Sequence, residues 1–298
     1  MPVERKITSA ALWLVLLVVG LLSVLPFVWI AIGSLKPHLE IQSGHIWPWT
    51  SYKVEQPATQ PGAAPTVAQE RVSLDNYRAI FEKLSGLPTY YFNTVYLALA
   101  GTFLSLLVGS LAAYGFAQFR FMGNRVLFAL LLLTVMIPAE VSLIGQYELM
   151  FQLRLYDRVM GLLVAYTAGN LLLVIFIMRN VFASIPQDLV SAAMIDGAGA
   201  WKVFWEVMVP MGRNGLAACA ILTFLNMWNE FLFALTFTSM DKVRTLPVGI
   251  FMLREQWGTF NSGVLFATVL LSFLPIVVVF ILLQKYFIRG LSAGAIKA

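Results

Sequence analysis

The 298-residue chain has few of the side chains from which catalytic and metal sites are built. It contains one cysteine, Cys219, and two histidines, His38 and His45, which fall in the same loop. A single cysteine makes no intramolecular disulfide, and two histidines without a thiolate partner are a poor metal site. No Gly-x-x-x-x-Gly-Lys-Ser/Thr segment occurs, which excludes an ATPase of the phosphate-loop type. We therefore expect no metal, cofactor or catalytic centre on this chain.

Charge is also scarce. Only 12% of the residues are charged and 59% are hydrophobic, with a mean hydropathy of +0.80. Soluble domains carry roughly 25% charged residues. The composition therefore predicts an integral membrane protein. Its net charge of +5 is typical of cytoplasmic membrane flanks and is too diffuse to indicate nucleic acid binding.

Long apolar stretches divide the chain and predict an all-α fold with six transmembrane helices. The approximate spans are residues 7–34, 90–116, 126–147, 159–181, 215–238 and 262–288. We expect the first to be retained, because it is too long for a signal-peptide core. The resulting divisions are an N-terminal helix (1–35), an extracytoplasmic loop (36–88), a core (89–288) and a tail (289–298). Within that otherwise irregular loop, the spacing of four apolar side chains predicts an amphipathic surface helix: Leu74, Tyr77, Phe81 and Leu84.

A polar stretch from Ser184 to Pro210 carries its own helix signals between the fourth and fifth spans. Ser184, Pro186 and Gln187 read as a capping box that starts a short helix ending near Ile195. Asp196-Gly197 predicts a turn with a positive φ. A second helix then carries four large apolar side chains and ends at Pro210: Trp201, Phe204, Trp205 and Met208.

This stretch resembles the "EAA" coupling loop of permease subunits in bacterial ABC importers. The shared pieces are Ser191-Ala192-Ala193, then Gly197 and Ala198, and finally Pro210; Ser191 replaces the glutamate of the motif. The resemblance implies a cytoplasmic helix-turn-helix that contacts an ATPase. The residues that it assigns to coupling are Ser191, Ala192, Ala193, Asp196, Gly197, Ala198, Trp201, Phe204 and Pro210.

From about Tyr90 onward, the chain is similar to the carbohydrate-specific, MalG-type branch of these permeases. The supporting segments are IPAEVSLI, NMWNEFLFAL, TLPVGI and the terminal GLSAGAIKA. The resemblance implies a type I ABC importer permease fold in the bacterial inner membrane. It also implies a second permease subunit, two copies of an ATPase that binds ATP and Mg²⁺, and an extracytoplasmic solute-binding protein. The tail residues Gly290, Gly294 and Lys297 are expected to enter the interface between the ATPase subunits as an extended segment.

The charge distribution predicts that both termini lie in the cytoplasm. That orientation places ten Lys and Arg inside and ten outside, but five of the outside ten fall in the long 36–88 segment. Long loops follow the positive-inside rule weakly, so ten against five is the relevant comparison.

Several polar residues fall within the predicted spans, and each allows two interpretations. Glu140, Asn226, Trp228, Asn229 and Glu230 could line the translocation path of an importer. Alternatively, they hydrogen-bond or pack between helices, which is the more common arrangement. Glu140 and Glu230 also leave open an ion-coupled secondary transporter, although such a protein would not need the coupling loop. A membrane-embedded enzyme has no visible nucleophile–base or metal constellation.

The transported molecule is predicted to be a sugar or oligosaccharide. Five basic residues in outer loops could favour an acidic one, such as an alginate fragment, or could be ordinary loop charges: Arg154, Arg158, Lys242, Arg244 and Arg254.

Overall fold

The computed structural model of the chain describes residues 2–36, 41, 52–56, 66–70, 74–83, 86–138, 140–256 and 261–295. Its helices are α1 Pro2–Ser34, α2 Asp75–Lys83, α3 Leu87–Gln118, α4 Asn124–Leu133, α5 Leu143–Gln152, α6 Val159–Ala183, α7 Gln187–Ile195, α8 Ala200–Met211, α9 Arg213–Trp228, α10 Leu232–Phe237, α11 Leu246–Gln256 and α12 Ser262–Ala295. Short 3₁₀ turns occupy Thr134–Met136 and Asp241–Val243, and two strands occupy Tyr52–Gln56 (β1) and Thr66–Glu70 (β2).

The chain divides into two compact units. The first contains Met1–Ser85 and Ile250–Leu274. In it, the predicted surface helix is present as α2, and Asn76 donates hydrogen bonds to the carbonyls of Ser34 (2.9 Å) and Lys36 (2.8 Å). The strands β1 and β2 pair antiparallel, with Tyr52 opposite Glu70. The loop predicted to be irregular therefore contains two short strands, whereas the other elements that the structure describes are helical, as the all-α prediction requires. His38, His45 and Leu84 lie outside the described residues.

The second unit, Gly86–Gly249 with Pro275–Ala298, has its core between α3, α6 and α9. A small-residue face of α3 is buried in this core: Gly101, Ser105, Gly109 and Ala113. A Cβ atom on Gly109 would lie 2.7 Å from the Val174 side chain of α6. Such close helix approach needs small residues at the contact. The recurrence of a small residue every fourth position of the second span therefore serves packing.

Among the described residues, four helices are long and apolar enough to cross a membrane by length and composition: Leu12–Ser34, Leu87–Gln118, Val159–Ala183 and Ser262–Lys285. The pair α8 and α9 together could supply a fifth, bent by 78°. The predicted continuous helix over 126–147 is wrong. Pro138 lacks an N–H and pushes Ile137 into an extended conformation (φ −92°, ψ 113°), so the helical path stops between Met136 and Leu143.

Two other predicted boundaries change. The fifth span is interrupted between Trp228 and Leu232, where α9 ends and α10 begins. At the C-terminus, α12 continues to Ala295, so Gly290 and Gly294 lie in a helix and the predicted extended tail is wrong over that range. Lys297 lies outside the described residues.

A polar clasp joins the loop before α6 to the segment after α10. Asp157 has a left-handed backbone (φ 57°), and its carboxylate accepts hydrogen bonds from the backbone amides of Ser239 (2.9 Å) and Met240 (3.0 Å). The Ser239 hydroxyl donates a third, at 3.1 Å. Partial desolvation of Asp157 raises its pKa, but these hydrogen bonds and the charge of Lys242 outweigh it and hold the pKa below its ordinary value.

Candidate functional site

The two helices α7 and α8 are joined by a turn that only glycine fits easily. Gly197 has φ +83°, its N–H bonds the carbonyl of Met194 (3.1 Å), and the N–H of Ala198 bonds that of Ala193 (2.9 Å). This pair of bonds is a Schellman motif, which caps the end of a helix with a left-handed residue. The predicted positive-φ turn is confirmed. Ala193 and Ala198 are both half-buried against the core beneath, which explains the small residues there.

The start of α7 differs from the prediction. Ser184 ends α6 in a helical conformation and donates its hydroxyl to the Val181 carbonyl at 2.8 Å. Pro186 occupies the N-cap position of α7, with no side-chain cap, and Gln187 is the first helical residue. The predicted capping box is therefore wrong, because the helix before it extends further than its apolar pattern indicated.

The end of α8 also differs. The helix changes to a π-helical turn over Phe204–Met208 and continues through Val209–Met211, so Pro210 lies within its last turn instead of ending it. Proline is tolerated there because it stands at the start of that short α-helical turn. Gly212 follows, where a Cβ atom would lie 2.8 Å from the Phe182 ring. The close approach at Gly212 coincides with the 78° bend into α9.

The predicted coupling residues separate into an exposed and a buried group. Trp201 is 63% exposed, whereas Phe204 is 1% exposed and lies in the core. Phe204, which was assigned to coupling, therefore does not present its side chain to a partner and packs inside the unit instead. Ala192, Asp196, Gly197 and Pro210 are exposed, and Ser191 is half-buried.

Three further side chains of α7 and α8 are exposed but were not among the coupling residues that the motif assigned: Met194, Ile195 and Trp205, the last of which its helical spacing had already singled out. With Trp201, we call these four residues the coupling face. Their signal in the sequence was the presence of large apolar residues next to a turn. Ile195 is 85% exposed at the end of α7, and Trp201 and Trp205 on α8 pack edge to face with ring centroids 6.0 Å apart.

Glu230, one of the predicted path residues, serves as the cap of α10. Its carboxylate accepts hydrogen bonds from the backbone amides of Phe233 (2.7 Å) and Ala234 (3.1 Å). The Tyr166 hydroxyl donates a third, at 2.5 Å. A carboxylate at a helix N-terminus satisfies amides that have no partner within the helix. The structural interpretation of Glu230 is therefore the one that its geometry supports.

Two asparagines nearby are exposed. Asn226 donates to the side-chain oxygen of Asn170 (3.2 Å), and Asn229 donates to the carbonyl of Leu225 (2.9 Å). Asn170 in turn donates to the Tyr166 carbonyl at 2.9 Å. The pattern along the chain gave no signal for Asn170, because the contact joins α6 to α9 across 56 residues.

The remaining two predicted path residues lie apart from this group. Trp228 is 3% exposed, stacked on Phe224 (5.6 Å between ring centroids, 21° between planes) and edge-on to Tyr91 (5.9 Å). It packs between helices and offers no face to a ligand. Glu140 is exposed in the break between α4 and α5, and no hydrogen bond among the described residues joins its side chain to Glu230.

Comparisons with known proteins identify the family of this chain. The profile of the family described as "Binding-protein-dependent transport system inner membrane component" matches residues 105–293, more than half of the chain. The chain belongs to this family. The resemblance based on the coupling loop is confirmed, and the matched region includes the coupling face and the Glu230 cap.

The relatives of this permease are named for sugar transport. It is 30% identical, over 99% of its length and 98% of the relative's, to the arabinooligosaccharides transport system permease protein AraQ of Bacillus subtilis. It is 33% identical, over 78% of its length and 84% of the relative's, to the trehalose/maltose transport system permease protein MalG of Thermococcus litoralis. The MalG-type assignment is thereby confirmed.

A solved structure shows the same fold as this permease. A chain of a bacterial ABC transporter involved in the import of the acidic polysaccharide alginate superposes with a TM-score of 0.74. The match covers 95% of this chain and 98% of that chain at 21% identity. The ABC importer permease fold expected from the sequence is therefore present, whereas an ion-coupled transporter finds no support in these comparisons.

Proposed function

We propose that this permease forms half of the translocation pathway of an ATP-driven, binding-protein-dependent importer and couples to its ATPase through α7 and α8. The coupling face carries the proposal. Four large apolar side chains stand exposed around a Schellman turn that fixes the angle between two short helices. An exposed apolar patch beside polar residues marks a docking surface for a partner. The partner proposed is a cytoplasmic ATPase present in two copies.

The proposed assembly divides the chemistry between subunits. ATP and Mg²⁺ bind to the ATPase, and this chain binds neither. A second permease subunit supplies the other half of the pathway, and an extracytoplasmic binding protein delivers the solute. Membership of a family of binding-protein-dependent systems supports the last of these partners.

We propose six crossings of the bacterial inner membrane, with both termini in the cytoplasm. The third crossing is α4 with α5, interrupted near its middle, and the fifth is α9 with α10, interrupted after its first 16 residues. Four arginines support the orientation, because chain direction places them at the same end as the coupling helices: Arg120, Arg125, Arg179 and Arg213.

The proposed cargo is a sugar or oligosaccharide, as the names of the relatives suggest. Asn226 and Asn229 are the path residues that the geometry favours, because exposed amide groups can hydrogen-bond sugar hydroxyls. Half-buried Asn170 holds Asn226 by accepting its hydrogen bond at 3.2 Å. Arg244 does not favour an acidic cargo. Its guanidinium donates to Asp241 and to the Ser239 carbonyl (3.0 Å), and its side chain is 17% exposed.

The docking proposal is tested by changing the coupling face and a matched aromatic elsewhere. The double variant Trp201→Ala, Trp205→Ala should reduce the amount of ATPase that co-purifies with the tagged permease by about tenfold. This is the effect expected when two tryptophans that become buried in an interface are removed. The control is Phe103→Ala on α3, because Phe103 is 64% exposed and Trp201 63%. Undiminished co-purification of the ATPase with the double variant would refute docking at this face.

A further inference from the structure

The second coupling helix is attached sideways to two membrane-spanning helices. Its residue Phe204 contacts Tyr114 of α3, with ring centroids 5.4 Å apart, and Phe182 of α6, at 6.4 Å. We call Tyr114, Phe182 and Phe204 the aromatic anchor. All three are buried: Tyr114 is 8% exposed, Phe204 1% and Phe182 0%. Aromatic pairs at these distances hold a defined orientation and resist sliding.

Tyr114 adds a directional bond to this packing. Its hydroxyl donates to the carbonyl of Ala200, the first residue of α8, at 3.1 Å. The same carbonyl accepts the backbone N–H of Phe204 within the helix. Tyr114 therefore fixes the position of the first turn of α8 relative to α3, across 86 residues of sequence.

The backbone connection from α8 to the next helix, α9, is poorly suited to transmit movement. The π-helical turn at Phe204–Met208 departs from regular helix, and the chain then bends by 78° between Met211 and Arg213. A π-turn and a sharp bend both interrupt the regular i→i−4 hydrogen bonding of a helix. The aromatic anchor is therefore the more direct contact between α8 and the long helices α3 and α6.

The anchor also meets the coupling face. Trp205 lies 5.0 Å from Phe204 by ring centroids, and Trp201 lies 6.0 Å from it. One continuous set of packed rings thus leads from the proposed ATPase contact to α3. It consists of the exposed Trp201 and Trp205, followed by the buried Phe204 and Tyr114.

We propose that Tyr114 is a positioning residue for coupling: through its bond to Ala200 and its contact with Phe204, it transmits displacement of α8 to α3. This proposal rests on the proposed function, since it requires that an ATPase moves α8. Phe182 extends the same transmission to α6. The two helices that receive the movement, α3 and α6, pack most closely in the core of this unit.

The test uses Tyr114→Phe, which removes only the hydroxyl. The Ala200 carbonyl keeps its bond from the Phe204 amide, so no buried acceptor is left unpaired and the protein should still insert. The matched control is Ser105→Ala on the same helix, whose hydroxyl donates to the Thr167 carbonyl at 3.4 Å, away from α8. Both variants are reconstituted in proteoliposomes with the second permease, the ATPase and the binding protein.

The measured quantity is solute imported per ATP hydrolysed. We expect Tyr114→Phe to lower this ratio about two- to tenfold, the effect of one lost hydrogen bond on a two-state equilibrium, with normal ATPase co-purification. Ser105→Ala should match the wild type. An unchanged ratio in Tyr114→Phe overturns the proposal, and so does loss of assembly, which would make Tyr114 a structural residue only. Failure of the proposed function itself is distinguishable, because the wild-type complex would then show no ATP-dependent import.

Discussion

At the scale of single residues, a comparison of Gly197 with Gly199 distinguishes a glycine that its backbone conformation requires from one that another small residue could replace. Both are exposed, and a Cβ atom on either would meet nothing within 4 Å. Gly197, however, has φ +83°, whereas Gly199 has φ −71°, which any residue adopts. The left-handed conformation costs other residues roughly 1–2 kcal/mol, and proline, fixed near φ −65°, cannot adopt it.

We therefore predict that Gly197→Pro abolishes substrate-stimulated ATP hydrolysis while the permease still inserts. Proline would also remove the N–H that bonds the Met194 carbonyl at 3.1 Å. Gly199→Ala is the control and should retain hydrolysis close to the wild-type rate. Hydrolysis in reconstituted complexes measures both. Normal stimulation in Gly197→Pro would show that the angle between α7 and α8 does not matter for coupling.

Glutamine substitutions at Glu140 and Glu230, which fall in the proposed third and fifth crossings, are expected to have different effects. Glu140→Gln should leave import and its pH dependence unchanged, because Glu140 is exposed and no described residue bonds its side chain. Glu230→Gln should lower the midpoint of thermal unfolding by roughly 2–4 °C, since an amide caps α10 more weakly than a carboxylate bonded to two backbone amides and Tyr166. A loss of import confined to Glu140→Gln would revive the ion-coupled alternative.

At the scale of elements, the sequence predicted what local patterns determine. The lengths of α3 and α6, the turn at Gly197 and the small-residue face of α3 follow from apolar runs, glycine conformation and helical spacing. The capping role of Glu230 could not be predicted in the same way, because it depends on the break between α9 and α10, whereas the apolar pattern is continuous across that break. The contact of Asn170 with Asn226 and the Tyr114–Ala200 bond likewise depend on tertiary packing.

Two proline positions also show where local patterns fail to predict the structure. Pro138 interrupts its span, as its chemistry requires, although the apolar pattern alone suggested a continuous helix. Pro210 was expected to end a helix and instead lies inside its last turn, because the preceding π-helical turn has already altered the hydrogen-bond pattern.

Ser191 stands where the motif has glutamate, and its half-buried place on α7 leaves the Schellman turn undisturbed.

The clasp at Asp157 gives a pH-dependent prediction. Its pKa in the folded protein lies below the ordinary value of about 3.9, so its contribution to stability is present above that value and disappears as pH falls through the folded pKa. Asp157→Asn keeps a residue that tolerates φ 57° but removes the charge. At pH 7 this variant should unfold roughly 2–4 °C below the wild type in detergent.

At a pH below about 3.9, the difference between Asp157→Asn and the wild type should shrink, because the carboxylate becomes protonated as the pH falls through its lowered pKa. Glu206→Gln is the control, because the ion pair of Glu206 with Lys202 is 3.9 Å long and highly exposed, and such pairs contribute little. A deficit of the Asp157 variant that stays equal at both pH values would assign the effect to shape instead of charge.

At the scale of the whole molecule, the chain belongs to the permease family of binding-protein-dependent importers, and within the unit that contains Gly86–Gly249 the two ends have separate tasks. One end presents the coupling face and the aromatic anchor beneath it. The other joins α3, α6 and α10 through Asp157 and through Asn93, which donates to the carbonyls of Lys242 (3.0 Å) and Arg244 (2.9 Å). Between the two ends lie Asn226 and Asn229, the exposed asparagines of the proposed path.

The central claim is that ATP hydrolysis in a partner drives import through this chain. Its most direct test is uptake of a labelled oligosaccharide into proteoliposomes that hold the complete complex, with either ATP on the side of the coupling face or an imposed proton or sodium gradient. The account predicts uptake with ATP and binding protein, no uptake with the gradient alone, and loss of ATP-driven uptake in Gly197→Pro. Uptake driven by the gradient without ATP would contradict it.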